Sequence, residues 1–172
     1  DFDQHEQVAF FHDRNSGLKV IIAIHDTTLG PALGGCRLWP YSTEAEAVQD
    51  VLRLSRGMTY KAAIAGLPLG GGKSVIIGAP SAKTPQMMRA MGRSVDRMAG
   101  RYIVAEDVGT SVEDMSYVHE ATRYVAGLAK AAGGTGDPSP MTAYGCFVGI
   151  KAALLHQHGS QDLHGVTVAV QG

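Results

Sequence analysis

Cysteine is scarce in this chain. Only Cys36 and Cys146 occur among 172 residues, far apart and in no Cys-x-x-Cys pair, which argues against a disulfide framework or a zinc site. Two free thiols suit a reducing cytoplasm, and that is the expected location. Net charge is scarce as well. A formal charge of −1 supplies no basic field for a nucleic-acid backbone and no acidic tail. No apolar run approaches the roughly 20 residues needed to cross a bilayer. The opening residues, DFDQHE, lack the basic and apolar regions of an export signal. There is no Gly-x-Ser-x-Gly elbow for serine hydrolysis, and His156, His158 and His164 are better read as a solvated helix end than as metal ligands. A small-molecule ligand is expected, with no nucleic acid, membrane or metal.

What is present is a folded, glycine-rich domain. Hydrophobic residues make up 45% and charged residues 18%, ordinary values for a globular chain long enough to bury a real core. The 22 glycines cluster at Gly34–Gly35, at 70–72 and at Gly133–Gly134, as they do where backbone approaches a ligand; tight turns are the plainer explanation of each. Residues 8–11 and 18–24 read as an antiparallel hairpin across the turn at 13–17. A glycine-rich loop is expected through Gly35. Thr43 to Glu46 then forms a capping box, opening a helix that Gly57 can end. A buried strand is expected at 74–78. Thr84 and Pro85 start a helix whose Met88, Met91, Val95 and Met98 recur at core spacing. A strand at 102–105 precedes a helix opened by Ser111. Residues 133–140 read as a hinge, Pro140 as the start of a long helix to about 157, and 166–172 as a final strand. Helices and strands in alternation give an α/β layer fold.

Chemistry concentrates in two places. Lys61 and Lys73 are flanked by Met58, Ala62, Ala63, Ile64, Ala65, Leu67 and Leu69, with no acidic residue between them. Two ammonium groups in apolar surroundings raise each other's cost of ionisation, so at least one pKa should fall. One lysine could then hold a carboxylate and the other act as general base; two unrelated surface lysines are the alternative. A phosphate loop is excluded, because its glycine would fall at Leu67 and its lysine would open a helix rather than a strand. The second place is AEDVG at 105–109, directly after a strand, where open α/β sheets put their ligands. Either Glu106 or Asp107 could balance the lysines, or Asp107 could simply cap a helix.

Together these segments resemble the leucine/phenylalanine/valine dehydrogenase branch of the glutamate dehydrogenase superfamily. The matching text is GPALGGCR at 30–37, RGMTYK at 56–61, LGGGK at 69–73 followed by VIIG at 75–78, AEDVG at 105–109 and TAYG at 142–145. The resemblance covers essentially the whole chain. It implies a three-layer α/β/α substrate (dimerisation) domain with a mixed sheet over residues 1–134. Over 135–172 it implies a hinge helix and the first strand of an NAD-binding Rossmann domain. It implies NAD-dependent oxidative deamination of an L-amino acid to the 2-oxo acid and ammonia by a homo-oligomer. Lys61 matches the lysine that holds the substrate carboxylate, Lys73 the catalytic lysine, and Asp107, rather than Glu106, the acid that moves a proton at the amino group. Leu33, Gly34, Met58 and Ala105 fall in the substrate pocket; Arg37 and Thr142 fall near the nicotinamide. Leu33 and Met58 offer nothing to a side-chain carboxylate, which disfavours glutamate and favours branched-chain or aromatic substrates. The family continues into a Rossmann fingerprint that residues 1–172 lack, so this polypeptide alone is expected to be inactive with negligible NAD affinity. A non-catalytic oligomerisation or amino-acid-binding module is the rival reading.

Overall fold

Strand pairing begins with the hairpin. In the computed structural model, which describes residues 4–134 and 136–170, β1 (Gln7–Asp13) and β2 (Leu18–Asp26) pair antiparallel. The Asp13 carboxylate accepts the Asn15 and Ser16 amides and so closes the turn. β3 (Ala32–Trp39), β4 (Gly70–Ile77) and β5 (Tyr102–Glu106) complete a five-stranded sheet in the order β1-β2-β4-β3-β5. β3 runs parallel to both β4 and β5, while β2 is antiparallel to β4, so the sheet is mixed.

Helices cover both faces. α1 (Glu44–Ile64) buries Ala47, Val51 and Leu52 against Ile21, Ala23 and Val75. α2 (Pro85–Asp96) and α3 (Val112–His119) lie on the other face, where Met88, Met91, Val95 and Met115 pack with Leu18, Ile22, Leu38, Ile76 and Val104. The methionine stripe is core filler, as its spacing predicts. Chain contacts divide the protein into two units, Asp1–Gly136 and Asp137–Gly172. The second contains α4 (Ser139–His158), capped by left-handed Gly159.

Four sequence expectations are corrected. Residues 32–35 form strand, not loop: parallel pairing with β4 and β5 satisfies their backbone groups. α1 does not stop at Gly57. It runs on because its packing does: a Cβ on Gly71 would strike the Thr59 amide and hydroxyl, so the bare strand lets the helix lie directly on it. The helix ends at Gly66 (φ +64°), where the Gly66 amide bonds the Ala63 carbonyl and the Leu67 amide reaches the Ala62 carbonyl, a Schellman closure. The Thr43 box is half formed. Thr43 accepts the Glu46 amide, but the Glu46 carboxylate takes the Ser42 amide instead of returning to Thr43. Residues 166–170 form no strand; they are exposed and pair with no other strand among the described residues, and an unpaired strand has nowhere to place its backbone hydrogen bonds. Gln171 and Gly172 lie outside the described residues.

Candidate active site

α1 covers β2 and β4 but leaves β3 and β5 largely open on its face. Side chains alternate along a strand. Cys36, Leu38 and Val104 point into the α2/α3 core, so Leu33, Gly35 and Arg37 of β3 and Ile103 and Ala105 of β5 turn towards the open face. These positions are half-buried except Gly35, which is buried. Lys73 arrives from β4 beside Gly35, and Asp107 follows β5.

The centre of this face is an ion pair. Lys73 Nζ lies 2.7 Å from Asp107 Oδ2, with the lysine side chain 8% exposed and the aspartate 24%. Gly35 makes the room: a Cβ there would sit 2.8 Å from the Asp107 Cβ and 3.2 Å from Lys73 Nζ. The same Asp107 oxygen receives Arg37 Nε at 3.2 Å. Arg37 reaches on with Nη1 to Asp50 Oδ2 of α1 at 2.8 Å, and the Tyr41 hydroxyl donates to that Asp50 oxygen at 2.7 Å.

The loop behind Asp107 is stitched to β3. The Asp107 amide donates to the Thr110 hydroxyl (2.9 Å), which donates to the Cys36 carbonyl (2.8 Å). The Leu38 amide donates to the Val108 carbonyl at 2.9 Å. Lys83 pins the Gly109 carbonyl at 3.0 Å and pairs with Asp114, which also receives the Ser111 amide and hydroxyl. Beneath the floor, the buried Tyr102 hydroxyl donates to the Gly34 carbonyl at 2.8 Å and bonds Ser74. Burial pushes the Tyr102 phenol well above its usual range, and the Cys36 thiol up to about 12. Both are therefore inert scaffold.

Electrostatics single out Asp107. Burial would raise its pKa, but the Lys73 hydrogen bond and charge, the Val108 amide and the Arg37 charge outweigh burial and hold it below the ordinary 3.8. The sign has a consequence. A carboxyl depressed on folding adds stability above its unfolded pKa and loses it as pH falls through the lower folded value. The stability difference between wild type and Asp107→Asn, measured by urea unfolding, should therefore be largest near neutrality and shrink below pH 3.8. Parallel curves at all pH values would refute the pairing.

The remaining sequence-selected residues divide clearly. Lys61 and Met58 sit one turn apart on α1; Met58 is half-buried, and the Lys61 ammonium is exposed and pairs with no carboxylate among the described residues. The charged neighbour of Lys73 is Asp107, one of the two acids the sequence offered to balance the lysines. Gly34 is buried within the sheet. Glu106 is excluded from this face: it points the other way, its carboxylate buried against Gly127 with no hydrogen-bond partner among the described residues. Thr142 belongs to the second unit, exposed on α4, its hydroxyl bonded to the Pro138 carbonyl. No cluster of three or more His, Cys, Asp or Glu among the described residues could hold a metal, and no described helix is long and apolar enough to cross a membrane. Asp50, Tyr41 and Thr110 were missed from sequence. Only Thr110, in a Gly-Thr-Ser turn before a helix cap, carried a local signal.

The sequence model for the Glu/Leu/Phe/Val dehydrogenase dimerisation domain matches residues 5–124. The chain belongs to the Glu/Leu/Phe/Val dehydrogenase family. It is 59% identical over 169 residues to leucine dehydrogenase of Bacillus subtilis, covering 98% of this chain and 46% of that enzyme. It is 48% identical over 170 residues to phenylalanine dehydrogenase of Bacillus thermotolerans, covering 98% and 44%. The crystal structure of L-tryptophan dehydrogenase from Nostoc punctiforme superposes with a TM-score of 0.73 at 49% identity, over 93% of this chain and 45% of that one. This chain thus spans less than half the length of the curated relatives it matches.

Proposed function

We propose that this chain forms the substrate-binding and proton-transfer half of an NAD-dependent L-amino-acid dehydrogenase acting on branched-chain or aromatic amino acids. The observation that carries the reading is the Lys73–Asp107 pair, 2.7 Å apart on the open face of β3 and β5. Relatives named for leucine, phenylalanine and tryptophan support the substrate class. The free thiols of Cys36 and Cys146 suit a cytoplasmic setting.

The roles follow from chemistry. Lys61, an exposed cation that pairs with no carboxylate among the described residues, holds the α-carboxylate. Leu33, Met58 and Ala105, with the Gly34 backbone, border the side-chain pocket, where a methylene more or less shifts preference by only ~1–3 kcal/mol. Lys73 is assigned as the base that takes a proton from the water attacking the substrate iminium carbon. Asp107 moves a proton to or from the substrate nitrogen. NAD supplies the hydride acceptor. A dinucleotide needs a glycine-rich turn at a helix N-terminus, and residues 1–172 contain no Gly-x-Gly-x-x-Gly. They do not by themselves fit the cofactor; Thr142 is assigned only to its nicotinamide end. The substrate domain also carries the contacts of a homo-oligomer, in keeping with the dimerisation-domain match.

Joining residues 1–172 to the C-terminal half of Bacillus subtilis leucine dehydrogenase tests the reading. The chimera should reduce NAD with L-leucine or L-phenylalanine and not with L-glutamate, while residues 1–172 alone should not. Turnover by the isolated chain, or a chimera that prefers glutamate, would refute it.

A further inference from the structure

Two of the three guanidinium nitrogens of Arg37 are committed to carboxylates of the protein. One guanidinium spans two carboxylates on different elements: Asp107 after β5 through Nε (3.2 Å) and Asp50 of α1 through Nη1 (2.8 Å). Asp50 is itself held by the Tyr41 hydroxyl at 2.7 Å. The planar fork suits this bridge, and a lysine's single ammonium could not make it. We propose that Arg37 is a positioning residue for Asp107, anchored through Asp50 and Tyr41, and not a ligand of the cofactor.

The proposal rests on the reading of Asp107 as the proton-transfer acid, and adds a reason for the second cation. Asp107 Oδ2 takes both Lys73 Nζ and Arg37 Nε. In the proposed reaction Lys73 changes charge when it takes a proton. Arg37 cannot, since a guanidinium keeps its proton throughout the pH range of proteins. It is therefore the partner whose charge stays constant, and it holds Asp107 in place while Lys73 and Asp107 exchange protons with the substrate. Among the described residues, the ionisable groups around Asp107 are Lys73 from β4, Arg37 from β3 with Asp50 and Tyr41 behind it, the buried Cys36 on the opposite face of β3, and the buried Tyr102 of β5. Arg37 contributes to the depression of the Asp107 carboxyl.

Arg37 borders a surface cleft of about 410 Å³ lined also by Trp39, Tyr41, Asp50 and Val108. Its replacement therefore opens no interior cavity. Arg37→Gln and Asp50→Asn are the test variants, with Arg37→Lys as the conservative control. The Asp107 carboxyl is titrated by carbon-detected NMR in the full 172-residue chain. Arg37→Gln should raise that titration midpoint by about one pH unit. Asp50→Asn, which only loosens the anchor, should raise it less; Arg37→Lys should restore part of the shift. In the chimera, Arg37→Gln should leave the NADH dissociation constant unchanged and move the acid limb of the kcat/KM profile upward. An unmoved Asp107 midpoint, or NADH binding weakened without any such shift, overturns the proposal. If the midpoint rises but the rate profile does not move, the clamp stands and the proton-transfer role of Asp107 falls instead. Should Arg37→Gln fail to fold, Asp50→Asn decides by the same two readouts.

Discussion

Lys73→Met in the leucine dehydrogenase chimera is expected to lower kcat by about 10²- to 10⁴-fold, the usual contribution of a positioned general acid or base. The substitution keeps the length and apolar stem of the side chain and deletes only the amine. The stem is buried in β4 between the α1 face and Gly35, so its packing survives. The lost ion pair costs less than the 3–5 kcal/mol of a fully buried one, because Asp107 is 24% exposed and retains Arg37. Folding and activity should therefore separate: a modest fall in Tm beside a collapse in turnover. Lys61→Met should behave differently. It removes a group assigned to substrate binding, exposed and paired with no carboxylate among the described residues, so KM for the amino acid should rise with Tm unchanged. Equal kcat losses in both variants would contradict the division of labour between the lysines, and retained turnover in Lys73→Met would exclude it as the base.

Gly34→Ala is expected to be the most damaging single-methyl change to stability. An added Cβ would land on the Gly72 carbonyl and stand 2.9 Å from the Lys73 amide. Those are backbone atoms at the centre of the sheet, so no side chain can swing aside and β3 and β4 must part. Overpacking of this kind costs about 3 kcal/mol or more, equivalent to a Tm lower by about 6–12 °C in a chain this size. Parting the strands also separates β3, which carries Arg37, from β4, which carries Lys73, so amino-acid affinity should fall with stability. Gly57→Ala is the matched control. Its Cβ would meet nothing within 4 Å, and the residue lies inside α1, so alanine should add up to about 1 kcal/mol through helix propensity. Similar melting temperatures for the two variants would mean that the β3–β4 approach is looser than the structure has it.

The sequence made the layers legible and misplaced their edges. Thr84, Pro85 and the methionine spacing define α2, and Ser111 with Asp114 forms a complete capping box for α3. Local signals sufficed there because the elements begin and end on their own caps. Glycine misled where its cause was long-range. Gly57 looks like a helix end and is not, because whether α1 continues depends on Gly71 across the sheet. Gly34 and Gly35 look like loop because the atoms that exclude a Cβ belong to β4 and the segment after β5. The glycine clusters suggested backbone at a ligand; Gly71 serves helix-on-strand contact, and only Gly35 opens space at the candidate site. The final strand failed for a related reason: its apolar alternation is real, but among the described residues no strand pairs with 166–170.

The candidate site divides along the same line. Lys73 and Asp107 are visible from residue type and neighbours, with the choice of Asp107 over Glu106 left to family resemblance. The structure supplies a physical reason for that choice, since alternation past Ala105 turns Asp107 to the open face and Glu106 to the other. Asp50 and Tyr41 were invisible, because an aspartate in a helix and a tyrosine before one carry no local mark of an arginine that reaches them from β3.

The most direct test is a crystal structure of the chimera with L-leucine bound. The amino acid should lie on the open face of β3 and β5, its carboxylate on the Lys61 ammonium, its nitrogen facing the Lys73–Asp107 pair and its side chain against Leu33 and Met58. Leucine bound away from Lys73 and Asp107, or with its carboxylate on any cation other than Lys61, would contradict the assignment.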